Sequence, residues 1–516
     1  MDQRGLRLSR RIGVVVGRTL VYALIWAGLV MLIAAVGIRF YWGTISVGQL
    51  LLNLTSVELD GGGGAIVWLG ILGVGVAPLL ITAGIAVWRF LRRRSRRRAD
   101  AGPRPRRERW LMRALSGAVV TAIVVGGTAA FASTVSVGKY LQAASSDYDL
   151  GDYYVEPVIT GDENKRNLVL IYLESGEATL EDDQLFEKDA FTPLKDVTEA
   201  ADGWQSIDGF QQYDGGGWTM SGLTSTQCGV PLRPALGFVE GSSEKPSDDV
   251  ETYLAGTTCL GDVLADHGYT NVFLGGANLR FAAKDVFLRT HDYSEISGLA
   301  DWRVAGDPES SFRSDWGLSD ERLMAHAMDT VDELHAESER TGEPFNLSLL
   351  TLDTHEPVHV YDYCDVDTQN PVTSVFSCSM TQVAGFVDHL ESRGYLEDTA
   401  VVIMGDHLKH LGMAETFHEQ LDDHPDRTIF NRFWIPGSAS AMRPRIDQLN
   451  LYPTILEAAG LEVEDSAAGL GVSAFTDRIP KDSAQALDPD TYSALLESRS
   501  RQFYAQAWAD DDGAPQ

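Results

Sequence analysis

Apolar residues occur along this chain in long runs near the N-terminus and in short runs further on, and the two kinds predict different elements. The long runs lie at 12–37, 64–88 and 114–134, and their only charged residue is Arg18. Each run is long enough to cross a hydrocarbon core of about 30 Å as a helix. Arg18 lies near one end of its run, where a long side chain reaches the interface. We therefore predict a membrane domain over 1–134 with three transmembrane helices.

Four short apolar runs have the length of strands, and each ends in polar residues. Their sequences are NLVLIYLE (167–174), TNVFLGGANLRF (270–281), FNLSLLTLDTHEP (345–357) and TAVVIMGDHLKH (399–410). An unbroken apolar run of this length is typical of a strand that is buried on both faces. Helical patterns separate or follow these runs, at 257–268, 318–337, 380–394 and 446–461.

The alternation of strands and helices predicts an α/β fold with a central, mostly parallel sheet that helices flank on both faces. In such sheets ligands bind beyond the carboxyl ends of the strands, so the four polar clusters should meet at one edge. We place this domain at 167–480. A polar stalk over 135–166 precedes it, and an acidic, weakly patterned and partly disordered tail over 481–516 follows it.

Charge is distributed unevenly and predicts how the chain is oriented. The chain carries a net charge of −31, but residues 1–134 carry +13 and the remainder −44. Twelve arginines lie in the second connection, 89–113, and four more precede the first apolar run. By the positive-inside rule both segments are cytoplasmic, so three crossings place 135–516 outside the cell membrane. The acidic body argues against nucleic acid as a partner, because such binding needs Lys and Arg to neutralise phosphates.

All four cysteines lie in the acidic part of the chain. An even number of cysteines in an oxidising compartment suits disulfides. Near-neighbour pairing, Cys228–Cys259 and Cys364–Cys378, is our interpretation, although the sequence by itself leaves the pairing open. The chain has no Cys-x-x-Cys spacing, which argues against a thiolate zinc site.

The stretch 213–234, YDGGGWTMSGLTSTQCGVPLRP, combines a glycine turn with several hydroxyl groups. Thr219 follows the three glycines, where a helix could begin and its free N–H groups could face an anion. A surface loop that opens a helix fits the same residues. The polar ends of the strands allow similar alternatives: Glu174 could cap a helix, and His355 could lie in an exposed loop.

Taken together, these polar groups predict a divalent-metal site. Asp406 and His407 follow a buried strand and cannot both be buried without partners. Carboxylate, imidazole and hydroxyl ligands from Glu174, Asp406, His407 and Thr219 suit Mn²⁺ or Mg²⁺, and Zn²⁺ less obviously. A hydroxyl on such a cation loses its proton more readily, so Thr219 becomes a candidate nucleophile.

The motifs over residues 165–460 also resemble a known family. NLVLIYLES, GGGWTMSGLTSTQCGVPL, LGDVLADHGYTNVFLGGANLRFAAKDVFLRTHDY, SDWGLSDE, TLDTHEP and VVIMGDH follow the order of motifs in the phosphoglycerol transferase and lipoteichoic acid synthase family. That family is part of the alkaline phosphatase and sulfatase superfamily, and the match is strongest to the branch that modifies periplasmic glucans.

The resemblance implies that Glu174, Thr219, Asp406 and His407 hold a metal, usually manganese, with Thr219 as the nucleophile. It implies that His355 and Lys284 contact the substrate, with Arg280, Asn278 and Trp316 as neighbours. The family cleaves the phosphatidylglycerol headgroup outside the membrane through a covalent threonine intermediate and passes glycerophosphate to an envelope glycan or glycolipid. Lipoteichoic acid synthases usually have five spans against three here, which leaves the acceptor open.

Three alternatives remain at this point. A sulfatase would need a Cys/Ser-x-Pro-x-Arg motif, and in the segment Cys228–Arg233 Pro231 comes one residue too late. A phosphoethanolamine transferase shares the fold and the threonine nucleophile. A non-catalytic envelope scaffold would have no need for all of Glu174, Thr219, Asp406 and His407.

Overall fold

The computed structural model describes residues 3–55, 68–98, 105–143, 146, 148–233, 252–313, 316–413, 415–438 and 441–509. Two compact units make up the chain. A helical unit consists mainly of residues 1–47 and 63–138, and an α/β unit consists mainly of residues 139–516.

The helical unit is built from the long apolar runs. Its helices are α1 (Gln3–Tyr41), α3 (Ala77–Arg98) and α4 (Arg106–Thr134), and a π-helical turn, Ile71–Val76, leads into α3. A short helix between α1 and α3 in chain order, α2 (Val47–Thr55), lies almost entirely in the α/β unit. Among the described residues, three stretches are long and apolar enough to cross a membrane: Val15–Tyr41, Trp68–Arg96 and Arg106–Thr134. They support a membrane protein, as predicted. The start of the second predicted run, 64–67, lies outside the described residues.

Glycines bring α1 and α4 close together. A Cβ atom on Gly127 would lie 2.2 Å from the carbonyl oxygen of Gly28, and one on Gly28 would lie 2.9 Å from that of Ile123. Small residues of this kind let the backbones of membrane helices approach closely.

The α/β unit is organised around a six-stranded sheet with the order β4-β3-β5-β2-β6-β7. Its strands are β2 (Asn167–Leu173), β3 (Thr270–Gly275), β4 (Glu295–Ser297), β5 (Phe345–Leu350), β6 (Thr399–Gly405) and β7 (Asn431–Trp434). All pairs are parallel except β6 with β7. The four predicted strands are β2, β3, β5 and β6, so the structure confirms the predicted α/β fold; β4 and β7 extend the sheet at its edges.

Helices cover both faces of this sheet, as their spacing predicted. The described helices that follow α4 are, in chain order, α5 (Val137–Ala143), α6 (Asp183–Phe186), α7 (Thr192–Asp196), α8 (Thr219–Cys228), α9 (Leu260–Asp266), α10 (Lys284–Thr290), α11 (Leu299–Ala305), α12 (Asp320–Thr341), α13 (Pro371–Arg393), α14 (His418–Leu421), α15 (Leu451–Ala458), α16 (Pro489–Glu497) and α17 (Arg501–Ala507). Leu168, Leu170 and Tyr172 of β2 face one hydrophobic cluster, and Val169, Ile171 and Leu173 face the other. Burial on both faces explains the unbroken apolar run.

The segments at both ends of this unit are more ordered than their composition indicates. Within the expected stalk, β1 (Ile159–Gly161) pairs with β8 (Glu462–Val463), and β9 (Ala467–Ala468) pairs with β10 (Gly471–Val472) nearby. Within the expected tail, α16 and α17 bury Leu495, Leu496, Phe503 and Tyr504 in the hydrophobic core. The residues after 509 lie outside the described part of the chain.

Candidate active site

The register of the sheet brings Glu174 and Asp406 to the same edge. Leu173, the last residue of β2, pairs with Gly405, the last residue of β6. The two carboxylates therefore follow adjacent parallel strands at the same level, and both are buried. The amide of Asp406 donates to the carbonyl of Leu173 at 3.1 Å, which continues the ladder by one residue.

Thr219 reaches this edge as the first residue of α8. Its hydroxyl lies 3.4 Å from Oε2 of Glu174, and the residue is half-buried. Trp218 precedes the helix with extended backbone, so the first amides of α8 have no side-chain cap. Free amides at a helix N-terminus favour an anion.

Gly222, one turn into α8, lets this helix lie directly on the loop that follows β6. A Cβ atom at this position would lie 2.2 Å from the carbonyl oxygen of Asp406. The same carbonyl accepts a hydrogen bond from Nε2 of Gln448 at 2.7 Å. Gln448 also accepts a bond from the amide of Tyr213 at 3.3 Å, so it connects the Asp406 loop to the segment before Thr219.

His407 is oriented by its own loop. Its Nδ1 donates to the carbonyl of Leu408 at 2.7 Å, which leaves Nε2 as the acceptor nitrogen. Nε2 lies 3.6 Å from Oε1 of Glu174 and 3.5 Å from Oδ2 of Asp406. Ligand atoms of these three residues all lie within 4.8 Å of one another.

The hydrogen bonding of Asp406 fits a cation at this position. Oδ1 accepts from the amides of Ser175 and His407, each at 2.8 Å, whereas buried Oδ2 has no hydrogen-bond partner among the described residues. An unpaired buried carboxylate oxygen is costly unless a proton or a cation compensates it. Two carboxylates, an imidazole and a hydroxyl form a donor set that suits Mn²⁺, Mg²⁺ or Zn²⁺.

The pKa values of the two carboxyl groups move apart. Burial raises the pKa of Asp406 to about 7, and the charge of Glu174 adds to the effect. For Glu174 burial alone would raise the pKa, but the imidazoles of His355 and His407 hold it below its usual range. Before a cation binds, Glu174 therefore carries the negative charge of the pair and Asp406 holds a proton more readily.

Lys284 is a buried cation near these carboxylates. Its side chain is 5% exposed and makes no hydrogen bond or ion pair with the described residues. Burial lowers its pKa, while the charges of Glu174 and Asp406 counteract that effect. Ala282 and Ala283, directly before it, both have positive φ angles, of 58° and 54°. Backbone strain of this kind is concentrated at functional sites.

His355 and Trp316 lie side by side. Their ring centroids are 4.1 Å apart, and Trp316 in turn contacts Phe281 edge to face at 6.0 Å. Nδ1 of His355 donates to the carbonyl of Glu356 at 2.8 Å, so Nε2 is the acceptor nitrogen. Burial lowers the pKa of His355, which favours the neutral imidazole. These contacts form an aromatic wall of Phe281, Trp316 and His355.

Asn278 and Arg280 shape the turn that follows β3. Oδ1 of Asn278 accepts from the amide of Arg280 at 3.0 Å, so part of its polar capacity is used locally. The side chain of Arg280 is exposed.

The structure thus brings together Glu174, Thr219, Asp406, His407 and Lys284, with His355 close to Glu174, and it leaves Arg280 on the surface of the turn.

The sequence did not assign roles to three residues that the structure places here. His410 lies 5.0 Å from His407 between ring centroids, and burial lowers its pKa to about 3. Lys409 is buried and pairs with Glu356 and with Glu415, the latter at 3.3 Å. His410 and Lys409 belong to the GDHLKH run, which marks them as polar residues after a buried strand. For Gln448 the sequence holds no comparable signal.

The four cysteines form the disulfides Cys228–Cys259 and Cys364–Cys378, as near-neighbour pairing suggested. Cys228 is the last residue of α8, so the first disulfide ties the helix of Thr219 to the N-terminus of α9. Nε2 of His291 lies 3.4 Å from the sulfur of Cys259. The ring nitrogens of His291 also bond to Asp262 and to the carbonyl of Tyr253, so the cluster of Cys228, Cys259 and His291 is structural.

Comparisons with known proteins match this fold and these motifs. Residues 241–461 match the family model described as Sulfatase. Phosphoglycerol transferase I of Escherichia coli O139:H28 (strain E24377A / ETEC) is 32% identical over 350 residues, which are 65% of this chain and 42% of that protein. This chain therefore spans less than half the length of that relative. The resemblance to the phosphoglycerol transferase and lipoteichoic acid synthase family is confirmed.

Two solved structures are among those that are similar to this chain. A protein of the alkaline phosphatase superfamily from Vibrio parahaemolyticus has a TM-score of 0.47 and 20% identity, over 67% of this chain and 78% of its own. The lipoteichoic acid synthase LtaP from Listeria monocytogenes has a TM-score of 0.44 and 15% identity, over 59% and 76%.

Proposed function

We propose that this protein is a membrane-anchored, metal-dependent phosphoglycerol transferase. It would cleave the phosphatidylglycerol headgroup through a covalent glycerophospho-threonine at Thr219 and transfer glycerophosphate to an envelope glycan or glycolipid. The observation that carries the proposal is the hydroxyl of Thr219 at a helix N-terminus, 3.4 Å from Glu174, beside Asp406 and His407. The similarity to phosphoglycerol transferase I supports the choice of headgroup.

A divalent cation held by Glu174, Asp406, His407 and the hydroxyl of Thr219 would lower the pKa of that hydroxyl and offset negative charge on the phosphoryl group. Manganese is the choice that the family implies, with magnesium or zinc as alternatives. The chain's own groups supply the remaining chemistry.

Thr219 would attack phosphorus, the bond from phosphorus to the diacylglycerol oxygen would break, and the leaving oxygen would take up a proton to replace the one that the Thr219 hydroxyl gives up. The Thr219 hydroxyl donates to Oε2 of Glu174 at 3.4 Å. Lys284 and the free amides at the start of α8 would hold the phosphoryl oxygens, because both present positive charge at the same edge of the sheet. In the second half-reaction an acceptor hydroxyl would attack phosphorus and release Thr219.

The proposed orientation agrees with this chemistry. The arginine-rich connection would be cytoplasmic and the α/β unit extracytoplasmic. A domain that is tethered to the membrane meets a lipid headgroup at a high effective concentration.

The test uses the full chain in vesicles that contain phosphatidylglycerol with a labelled glycerol headgroup. We expect diacylglycerol release, together with a glycerophosphoryl adduct on the peptide containing Thr219. Thr219→Ala should abolish both. Release that persists in this variant contradicts the threonine intermediate.

Parallel vesicles with labelled phosphatidylethanolamine test the phosphoethanolamine alternative, since cleavage of that lipid alone would reassign the headgroup. A sulfatase would hydrolyse an aryl sulfate and leave both lipids intact. Failure to cleave any of these substrates in the presence of metal would favour the scaffold.

A further inference from the structure

A pair of buried carboxyl groups lies behind His355. Asp320, the first residue of α12, and Asp353, two residues before His355, are 0% and 1% exposed. The amide of Asp320 donates to Oδ2 of Asp353 at 3.1 Å, and the amide of Asp353 donates to Oδ2 of Asp320 at 3.2 Å. Oδ1 of Asp320 also accepts from the amide of Leu352 at 2.7 Å. The backbone that leads to His355 is therefore fixed by this carboxyl pair.

Each carboxyl group receives one further hydroxyl. Tyr363 donates to Oδ2 of Asp353 at 2.7 Å, and Ser379 donates to Oδ2 of Asp320 at 2.7 Å. Tyr363 directly precedes Cys364, and Ser379 directly follows Cys378. Because Cys364 and Cys378 are bonded to each other, one disulfide joins the two chain segments that supply these hydroxyls.

The carboxyl pair depends on these donors because of its burial. Burial raises the pKa of Asp353 well above its usual value, and the neighbouring charge of Asp320 raises it further. Burial also raises the pKa of Asp320, and the charge of Arg313 opposes the upward shift in both carboxyl groups. The guanidinium of Arg313 donates to the carbonyl of His355 at 2.9 Å and to that of Pro357. A buried carboxylate that loses one donor is left under-solvated. The loss of that hydrogen bond should then destabilise the segment that carries His355.

We propose that the Cys364–Cys378 disulfide, acting through Tyr363 and Ser379 on Asp353 and Asp320, positions His355 in the active site. Tyr363 and Ser379 are thus positioning residues for the reaction. The kinetic part of this inference rests on the proposed function, together with the substrate contact that the family resemblance implies for His355. A disulfide that only constrains the unfolded chain would change stability without changing His355.

The decisive variants remove single hydroxyl groups and keep the disulfide. For Tyr363→Phe and for Ser379→Ala we expect kcat to fall about tenfold with KM within about twofold, because His355 is misplaced while metal and headgroup binding persist. Metal affinity, measured by titration of Mn²⁺, should fall less than kcat does, because Thr351 and Thr354 of the same segment hold only the backbone of Glu174. Deuterium exchange of residues 351–357 should rise.

The matched control is Tyr395→Phe, which removes a similar hydroxyl bond to a carboxylate, that of Asp332 at 2.9 Å, away from this site. We expect kcat and the exchange of 351–357 to be unchanged. The double variant Cys364→Ser/Cys378→Ser should reproduce both effects of Tyr363→Phe. If that variant does not fold, the two hydroxyl variants still decide the question.

Wild-type kcat together with wild-type exchange of 351–357 in both hydroxyl variants would overturn the inference. A loss of stability equal to that of Tyr395→Phe, with no change in kcat, would also overturn it. A wild-type protein that cleaves no phospholipid contradicts the proposed function instead, and the exchange measurement then still tests the link from Tyr363 and Ser379 to the His355 segment.

Discussion

At the scale of single residues, the two oxygens of Asp406 have different surroundings. Oδ1 is satisfied by two backbone amides, and buried Oδ2 has no hydrogen-bond partner in the described part of the chain. The Asp–His dipeptide after an apolar run was visible in the sequence. The asymmetry between the two oxygens of Asp406 was not visible, because it depends on the amide of Ser175, which follows a different strand.

Metal binding should depend on pH through Asp406. Burial raises the pKa of this carboxyl to about 7. Below pH 7 a cation must displace a proton from Asp406, whereas above pH 7 the carboxylate is already free. Burial lowers the pKa of His407, but the charges of Asp406 and Glu174 outweigh that effect and raise it, so this ligand must lose a proton too. We therefore expect apparent affinity to fall by at least about tenfold per pH unit below 7. Calorimetric titration of Mn²⁺ into metal-free protein from pH 5.5 to 8.5 measures this, and a flat profile would contradict it.

We expect Lys284 to lower the free energy of unfolding while it raises the activity. Lys284→Met removes a buried ammonium that has no ion-pair partner among the described residues, so we expect unfolding free energy to rise by about 1 kcal/mol. The same change should lower kcat/KM about 100-fold, because a positive charge near the phosphoryl group is lost. Thermal unfolding and headgroup release measure the two effects.

The control for this substitution is Lys188→Met, which breaks a surface pair with Asp367 at 2.6 Å. Such pairs contribute at most about 1 kcal/mol, so stability should change little and activity should be unchanged. A fall in stability for Lys284→Met larger than that of the control would mean that Lys284 serves the fold.

At the scale of elements, the site depends on how β2, β6 and α8 meet. The pairing of Leu173 with Gly405 aligns the strand ends that carry Glu174 and Asp406. A shift of one residue would turn every side chain of β2 to the other face of the sheet. The apolar patterns predicted both strands but not this register, which is set by contacts between segments more than 200 residues apart.

Gly222→Ala tests the contact between α8 and the Asp406 loop. A Cβ atom there would lie 2.2 Å from the carbonyl of Asp406, so helix and loop must separate. We expect a loss of about 1–3 kcal/mol in stability, typical of overpacking, and a larger proportional loss of activity, because Thr219 moves away from Glu174.

Gly385→Ala is the matched control. Gly385 lies within α13, and a Cβ atom there would meet nothing within 4 Å. Replacing a helical glycine with alanine in open space should stabilise the protein by about 0.5–1 kcal/mol. Equal effects of the two substitutions would contradict the role given to Gly222.

At the scale of the whole molecule, charge and apolar length together predict topology. Helix α3 ends in an arginine-rich segment and α4 begins in another, whereas the chain after 134 is strongly acidic. In spheroplasts, we expect added protease to digest the α/β unit and to spare the connection at 89–113. Digestion of that connection from outside would reverse the proposed orientation.

The sequence by itself determined the elements that depend on local pattern. Four buried strands, the helices between them and the apolar membrane helices follow from residue spacing, because burial on one face, both faces or all round leaves a distinct periodicity. It also marked Glu174, Asp406 and His407, since polar groups after a buried strand need partners.

Only the tertiary structure decided what those residues meet. Three features join distant segments of the chain: the bond from Gln448 to the Asp406 carbonyl, the Asp320–Asp353 pair behind His355, and the burial of Phe503 from the acidic tail. No periodicity records such contacts. They arise because the folded chain must satisfy each polar group that it buries and cover each apolar face that it leaves open.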